Sequence, residues 1–410
     1  MRVIHVGHAC HLVELDGLRI LTDPWLVDPI FAGCIAHAAP LPFGVAALGR
    51  IDAIAISHAH LDHLNAPTLA ALPDKTIPVV FPASRFTEIE ETLRLLGYTN
   101  LHPREDWKPF ELGSVRIVPT PSVGVLDECA FYVAGRGGRF FDGADAPQPP
   151  ELMSEIRARL GPPDLAALPH NSFDQPALLG LPSHKDADHA PIAAVRSARL
   201  LGAGAALPAA SGMRWRGARG PEITRKVIRR SGADFLERLA REAPEIPGIA
   251  LAPGDAWSRE GGIERGVLRG APERPAPHDY VHPLLGTGAR HCPPGRPSSE
   301  DTFRRDLPAL LARAPERAAY LGREVVFEIV GEDPALFSVD FANPAAPPRP
   351  GDSGAPFAVR IHDEDWKDLF ERIVPWQILL VNDRTRVTRF RPGPPPDGLH
   401  FVYALQAIFP

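Results

Sequence analysis

Apolar and polar positions alternate from the first residues of the chain. "RVIHVG", "HLVELDG" and "RILTDP" run apolar–polar between turn signals, the pattern of hairpin strands with one buried face. "IDAIAISH" is nearly continuous apolar sequence, which suits a strand covered on both faces. "APTLAALP" reads as a short helix, "IPVVFP" as a second buried strand, and "SRFTEIEETLRLLGY" as an amphipathic helix opened by Ser84. Two strand–turn units follow in "WKPFELGSVRIVPTP" and "CAFYVAGRGGRFFDGAD". From Pro149 to about Ala243 the pattern is mainly helical, broken by "PDLAALPH" and "AGAALPAAS", each a short strand ending in a loop. Residues 261–299 lose periodicity and fill with Pro, Gly, Arg and His, as a linker or extended arm does. Beyond them "EDTFRRDLPALLARA" predicts a helix, "REVVFEIVG", "LFSVDF" and "PFAVRI" strands, and "HDEDWKDLFERI" another helix before the run to "LHFVYALQAIF". The pattern divides the chain into a domain at 1–260, a linker at 261–299 and a smaller α+β domain at 300–410.

Composition narrows the classes open to it. Hydrophobic residues at 44% and charged residues at 23% of 410 are those of a globular protein. A net charge of -6 gives no electrostatic reason to expect nucleic acid or an anionic membrane as partner. No apolar run reaches the roughly 18 residues that span a bilayer. The opening "MRVIHVGHACHLVEL" reads as a strand rather than a signal peptide, so a cytoplasmic location is the expectation. The 47 prolines require many loops and rigid connectors, because proline is excluded from helix interiors and central strands. Cys10, Cys34, Cys129 and Cys292 form no CxxC pair, no zinc-finger spacing and no Rieske pattern, and read as reduced, buried thiols.

The chemistry concentrates in "IAISHAHLDHLN", Ile54 to Asn65. Three histidines and an aspartate in six residues, on a loop leaving a strand, point in different directions and can feed two metals. In H-x-H-x-D-H, His58 and His60 can hold one ion while Asp62 and His63 hold the second. Imidazole with carboxylate suits iron, zinc or manganese, and the absence of thiolate argues against a purely structural zinc site.

"GHACHLVELDGLRILTDPWL" followed by "ISHAHLDHLNAPTL" resembles the metallo-β-lactamase superfamily, in the branch of UlaG-like lactonases and CMP-N-acetylneuraminate hydroxylase. The resemblance covers about residues 1–215. It implies an α/β fold, the αββα sandwich, with a dinuclear site at one edge of the paired sheets; the strands and helices above agree with that fold without selecting it. It also implies an aspartate bridging the two ions. "GRFFDGADA" sits where that loop belongs, so Asp145 is assigned to the bridge and Asp142 to bracing the loop.

Two departures from the family's hydrolases bear on the reaction. Their third histidine for the first metal is missing after "PTP"; "SVGVLDEC" places Asp127 and Glu128 there, one of them a metal ligand, with Glu128 favoured for its reach. Their late histidine is missing too, and Ala209, Ala210 and Ser211 stand near its position. Carboxylate in place of imidazole adds negative charge and hard donors, which favours iron or manganese over zinc. The glutamate resembles that of the diiron β-hydroxylases of non-ribosomal peptide synthesis. The reading that follows is an oxygen-dependent diiron oxygenase or hydroxylase of a small molecule, with a dizinc or dimanganese hydrolase of an ester, lactone or phosphodiester as its rival. A non-catalytic protein with a relict site is the third reading, and the complete motif argues against it. Asp62, Asp145 and His170 are the catalytic candidates, and a reductase partner would supply electrons.

His8 is expected to orient a site loop, His5 and His11 to be structural, and His184 and His189 to cap a helix or face solvent. Trp25 is expected to pack beneath the pocket. Arg214, Arg216 and Arg219 form either an anion-recognition segment or a solvated basic turn. The C-terminal strands with "PWQILLVNDRT" resemble a sterol-carrier-like module, covering the metal site or forming a homodimer contact. Trp366, Phe370, Ile373 and Trp376, at near-helical spacing, read as core or interface.

Overall fold

The computed structural model describes residues 1–31, 33–84, 88–123, 128–146, 148–171, 175–180, 186–273, 296–312, 322–371, 376–382, 384–391 and 405. Two sheets stack face to face with helices outside both. The first runs Gly262–Glu264, Ala256–Ser258, Arg2–Gly7, Cys10–Leu15, Leu18–Thr22, Ala53–Ala55, Val79–Pro82, Leu101–Arg104. The second runs Ala206–Ala209, Leu165–Pro169, Gly138–Asp142, Ala130–Gly135, Val115–Thr120, Phe110–Leu112.

The two-residue period of the strands sorts their side chains between layers. Val13, Ile20, Ala53 and Ala55 meet Ile117, Phe131, Val133 and Phe140 between the sheets. Leu12, Leu21, Ile54 and Ile56 point the other way, beneath Leu69 of the helix Ala66–Ala71 and Leu93 of Glu88–Leu95. On the far side, Tyr132, Phe141 and Ala166 are covered by Ile156, Ala198 and Leu239 from the helices Pro150–Leu160, His189–Leu201 and Gly232–Glu242. This is the αββα sandwich that the resemblance implied.

Strand direction places the site. Leu18–Thr22, Ala53–Ala55, Val79–Pro82 and Leu101–Arg104 are parallel in the first sheet, as are Gly138–Asp142, Leu165–Pro169 and Ala206–Ala209 in the second. Their carboxyl ends release the loops that carry Asp23, His58–His63, Asp145, His170 and Ser211. Ligand sites of α/β sheets gather at such ends.

The first sheet continues past the boundary expected at 260. Gly262–Glu264 pairs antiparallel with Ala256–Ser258, Leu268 lies in the core, and Glu273 Oε1 accepts from the Val45 amide at 2.7 Å. Gly262 turns this hairpin at φ 65°. A glycine-rich turn of this kind has the composition of a linker, which is why the sequence pattern breaks there.

The C-terminal strands Glu324–Val330, Ala335–Asp340 and Phe357–His362 coincide with the runs read from sequence, and join Arg349–Pro350 and Arg386–Phe390 in a five-stranded sheet. Trp366 stacks on Phe303 at 4.5 Å, and Trp366 and Trp376 are wholly buried. This core runs on into the first unit, where Trp25, Phe31, Ile35, Leu179 and Trp215 belong to the same apolar cluster. Trp215 Nε1 donates to the Val381 carbonyl at 2.9 Å, and the Val387 amide to the Leu179 carbonyl at 3.0 Å. Phe370 packs on Trp366 at 4.7 Å, while Ile373 lies outside the described residues. Among the described residues no helix is long and apolar enough to cross a membrane.

Candidate metal centre

The H-x-H-x-D-H loop leaves the buried strand Ala53–Ala55 and is stopped by its own sequence. Asn65 caps the next helix, its side chain accepting from the Thr68 amide at 3.0 Å, and a proline follows in the first turn. Between strand and cap, two sets of donors converge. His58, His60 and Asp145 present ligand atoms within 4.8 Å of one another, and so do His8, Asp62 and His63. Asp145 links the sets, with Oδ1 3.5 Å from His58 Nε2 and Oδ2 3.5 Å from His63 Nε2. His60 and Asp145 are partly exposed and form the open edge; His58, Asp62 and His63 are buried.

The imidazoles are set from behind. Asp23, just after the strand Leu18–Thr22, accepts from the Ser57 amide and hydroxyl, both at 2.7 Å, and from His63 Nδ1 at 2.8 Å. A carboxylate at Nδ1 fixes the proton there and leaves the Nε2 lone pair facing the site. Ser57 Oγ lies 2.9 Å from His58 Nδ1 and orients that ring in the same sense. Replacing Asp23 by Asn is expected to weaken metal binding at the His63 position by about 10- to 100-fold, read by titration against a chromophoric chelator. Unchanged affinity would show that the ring needs no carboxylate to hold it.

The charges favour a cation. Burial lowers the His63 pKa, yet Asp145, Asp23 and Asp62 around it outweigh burial and hold it well above the usual imidazole value. Burial, then His63, keeps His58 neutral, and burial likewise lowers His60. Asp145 and Asp62 are held well below the ordinary carboxylate range against the opposing effect of burial, His63 being the largest favourable influence on each. Burial and then Asp145 push Glu128 up to about 8, and its Oε1 accepts from Ser122 at 3.2 Å. Buried His63 Nε2, His8 Nε2 and Asp145 Oδ1 lack hydrogen-bond partners. Orphaned donor atoms converging among negative charges are what metal ions satisfy, so these residues fit a pair of them.

The remaining candidates separate. Asp142 braces: it accepts from Thr22 Oγ1 at 2.7 Å, His11 Nδ1 at 3.1 Å and the Ala144 amide at 3.2 Å. His170 is buried at the end of Leu165–Pro169, its Nε2 2.7 Å from Ser211 Oγ, and burial lowers its pKa to about 4. Trp25 is buried and stacked on His37 at 3.9 Å. Arg214 and Arg216 donate to the His37 and Gly33 carbonyls, bracing that loop, and Arg219 lies 3.6 Å from Glu222. His189 is exposed at a helix start. Asp127 and His184 lie outside the described residues. Sequence reasoning passed over Asp23 and Ser57, although the aspartate of "TDPW" at a strand end was a usable signal. It gave His8 a loop-orienting task, whereas the His8 ring enters the second donor set.

Residues 18–209 match the family described as Beta-lactamase superfamily domain. A cytidine monophosphate-N-acetylneuraminic acid hydroxylase of Asterias rubens is 30% identical over 159 residues, which is 36% of this chain and 24% of that protein. The chain therefore spans about a quarter of that relative. Two of the solved structures similar to this chain illustrate the range of reactions. A metallo hydrolase of Ignicoccus hospitalis is 18% identical over 62% of this chain and 96% of its own, with TM-score 0.44. CmlA, a diiron beta-hydroxylase of Streptomyces venezuelae, is 20% identical over 51% of this chain and 44% of its own, with TM-score 0.38.

Proposed function

We propose, from the premise that residues 18–209 form a domain of the β-lactamase superfamily, that the protein is a non-haem diiron oxygenase or hydroxylase of a small molecule. The observation that carries this reading is Glu128, in the position where hydrolases of the superfamily have a histidine. Its carboxyl accepts from Ser122 and lies outside the two donor sets, yet Asp145 and His63 both influence its ionisation, which supports a place beside the centre. His58, His60 and an acidic residue at 127 or 128 would hold one ion, Asp62 and His63 the other, with Asp145 available to both. A bound iron pair supplies open coordination positions and electrons for reducing dioxygen while a substrate bond is oxidised.

The chain's own residues do the rest. Asp23 and Ser57 keep the Nε2 atoms of His63 and His58 turned inward. Substrate meets the partly exposed edge at His60 and Asp145. His170, held neutral by burial, accepts or returns a proton through the Ser211 hydroxyl. Electrons come from a separate reductase. The hydroxylase name carried by the Asterias relative supports an oxidative reaction.

Glu128→Ala and Asp127→Ala, made separately and assayed for iron after anaerobic loading, test the ligand choice. One of the two is expected to lose the first ion. If both keep full occupancy, the acidic-ligand argument fails, and a zinc or manganese hydrolase becomes the better reading.

A further inference from the structure

We propose that His8 is the fourth imidazole of the centre and completes the second metal position, so that each position has two imidazoles beside its carboxylates. His58, His60 and Asp145 then make one set and His8, His63 and Asp62 the other. This rests on the dinuclear reading above and adds the ligand that the H-x-H-x-D-H motif does not contain.

Three features of His8 carry the assignment. Its Nε2 is buried with Asp62 Oδ2 3.2 Å away, and its Nδ1 has no hydrogen-bond partner among the described residues. An imidazole buried with so little polar contact is costly, and a cation held by Nε2 and the Asp62 carboxylate together offsets that cost on the side facing the site. The ring is pinned edge-on between Trp25 at 5.3 Å and His63 at 5.5 Å, which fixes its plane. The backbone, finally, is held in a conformation that aims the side chain. His8 has φ 51°, in the left-handed region that non-glycine residues rarely adopt without compensation.

That compensation comes from the stretch where the hydrolases' late histidine is missing. The Ala210 amide donates to the His8 carbonyl at 3.1 Å, and Gly212 lies so close that a Cβ there would sit 3.0 Å from the His8 amide nitrogen. The strand end of the second sheet thus contributes no imidazole but clasps the residue that brings one from the first sheet. Imidazole and carboxylate with open positions is the donor mix of non-haem iron sites, and His8 gives the second position the same pair of imidazoles as the first.

The competing account gives His8 only its 3.2 Å contact with Asp62 Oδ2. His8→Gln separates the two, because glutamine keeps an N–H donor and side-chain volume but is a poor iron ligand; His8→Ala removes both properties. Each variant is loaded anaerobically with ferrous iron, desalted, and analysed for iron per chain, with circular dichroism to follow the fold. We expect two irons in the wild type and one in both variants. Two irons in His8→Gln, or loss of both, overturns the assignment while the dinuclear reading stands. Fewer than two in the wild type removes the dinuclear reading, and this assignment falls with it.

Discussion

Asp145→Ala is expected to empty both metal positions at once, with affinity falling at least about 100-fold at each. The geometry makes this substitution unlike any other in the centre. One oxygen of Asp145 lies 3.5 Å from His58 Nε2 and the other 3.5 Å from His63 Nε2, so a single side chain faces both donor sets. Removing it also takes away the largest favourable influence on the charge of His63 and leaves three neighbouring imidazoles short of a counter-charge. Asp62 belongs to one set only, so Asp62→Ala should leave the His58–His60 position able to bind. Metal per chain by elemental analysis distinguishes the two. One ion remaining in Asp145→Ala would mean that the carboxylate serves one position and does not bridge.

The second large effect concerns the C-terminal unit. A chain ended at Glu273 is expected to be insoluble or unfolded, even though the sandwich precedes that point. Trp25, Phe31, Ile35, Leu179, Met213, Trp215 and Ile223 all lie in the cluster that Phe303, Phe327, Trp366 and Trp376 complete. Uncovering each such side chain costs about 1.5–3 kcal/mol, so the sum reaches the whole of a domain's usual stability of about 5–15 kcal/mol. Leu61, between His60 and Asp62, packs against the same cluster, which carries the disturbance into the metal loop. A milder form is Trp366→Ala, expected to lower stability by about 3–5 kcal/mol in one cooperative transition measured by denaturant. A truncated chain that stays soluble and binds metal would show that the two parts are separable.

The sequence carried the strands and helices well because period-two strands and amphipathic helices are local patterns, whereas their stacking into the sandwich came from the resemblance. It carried the histidine loop for the same reason: His58, His60, Asp62 and His63 are neighbours whose chemistry is visible without a fold. The choice of Asp145 over Asp142 came from the resemblance, and Asp142 lies against Thr22 and His11 as a brace would. What stayed hidden depends on long-range contact. The pairing of Ile35–His37 with Met213–Trp215 joins three-residue strands far apart in the chain, too short to show a period. His8 and Asp23 act through residues distant in sequence and sit at positive φ, 51° and 39°, a conformation that Asp and His adopt more often than most residues but still too rarely to be read from sequence. The shared apolar core was invisible because Trp25 and Trp366 each look like ordinary core of their own unit.

Metal analysis and optical spectroscopy on protein purified from iron-replete cells decide between oxidation and hydrolysis. Two irons per chain are expected, with a charge-transfer band that disappears on reduction and returns with oxygen. Tightly bound zinc instead, with turnover of a generic phosphodiester or lactone in the absence of oxygen, would contradict the oxidative reading.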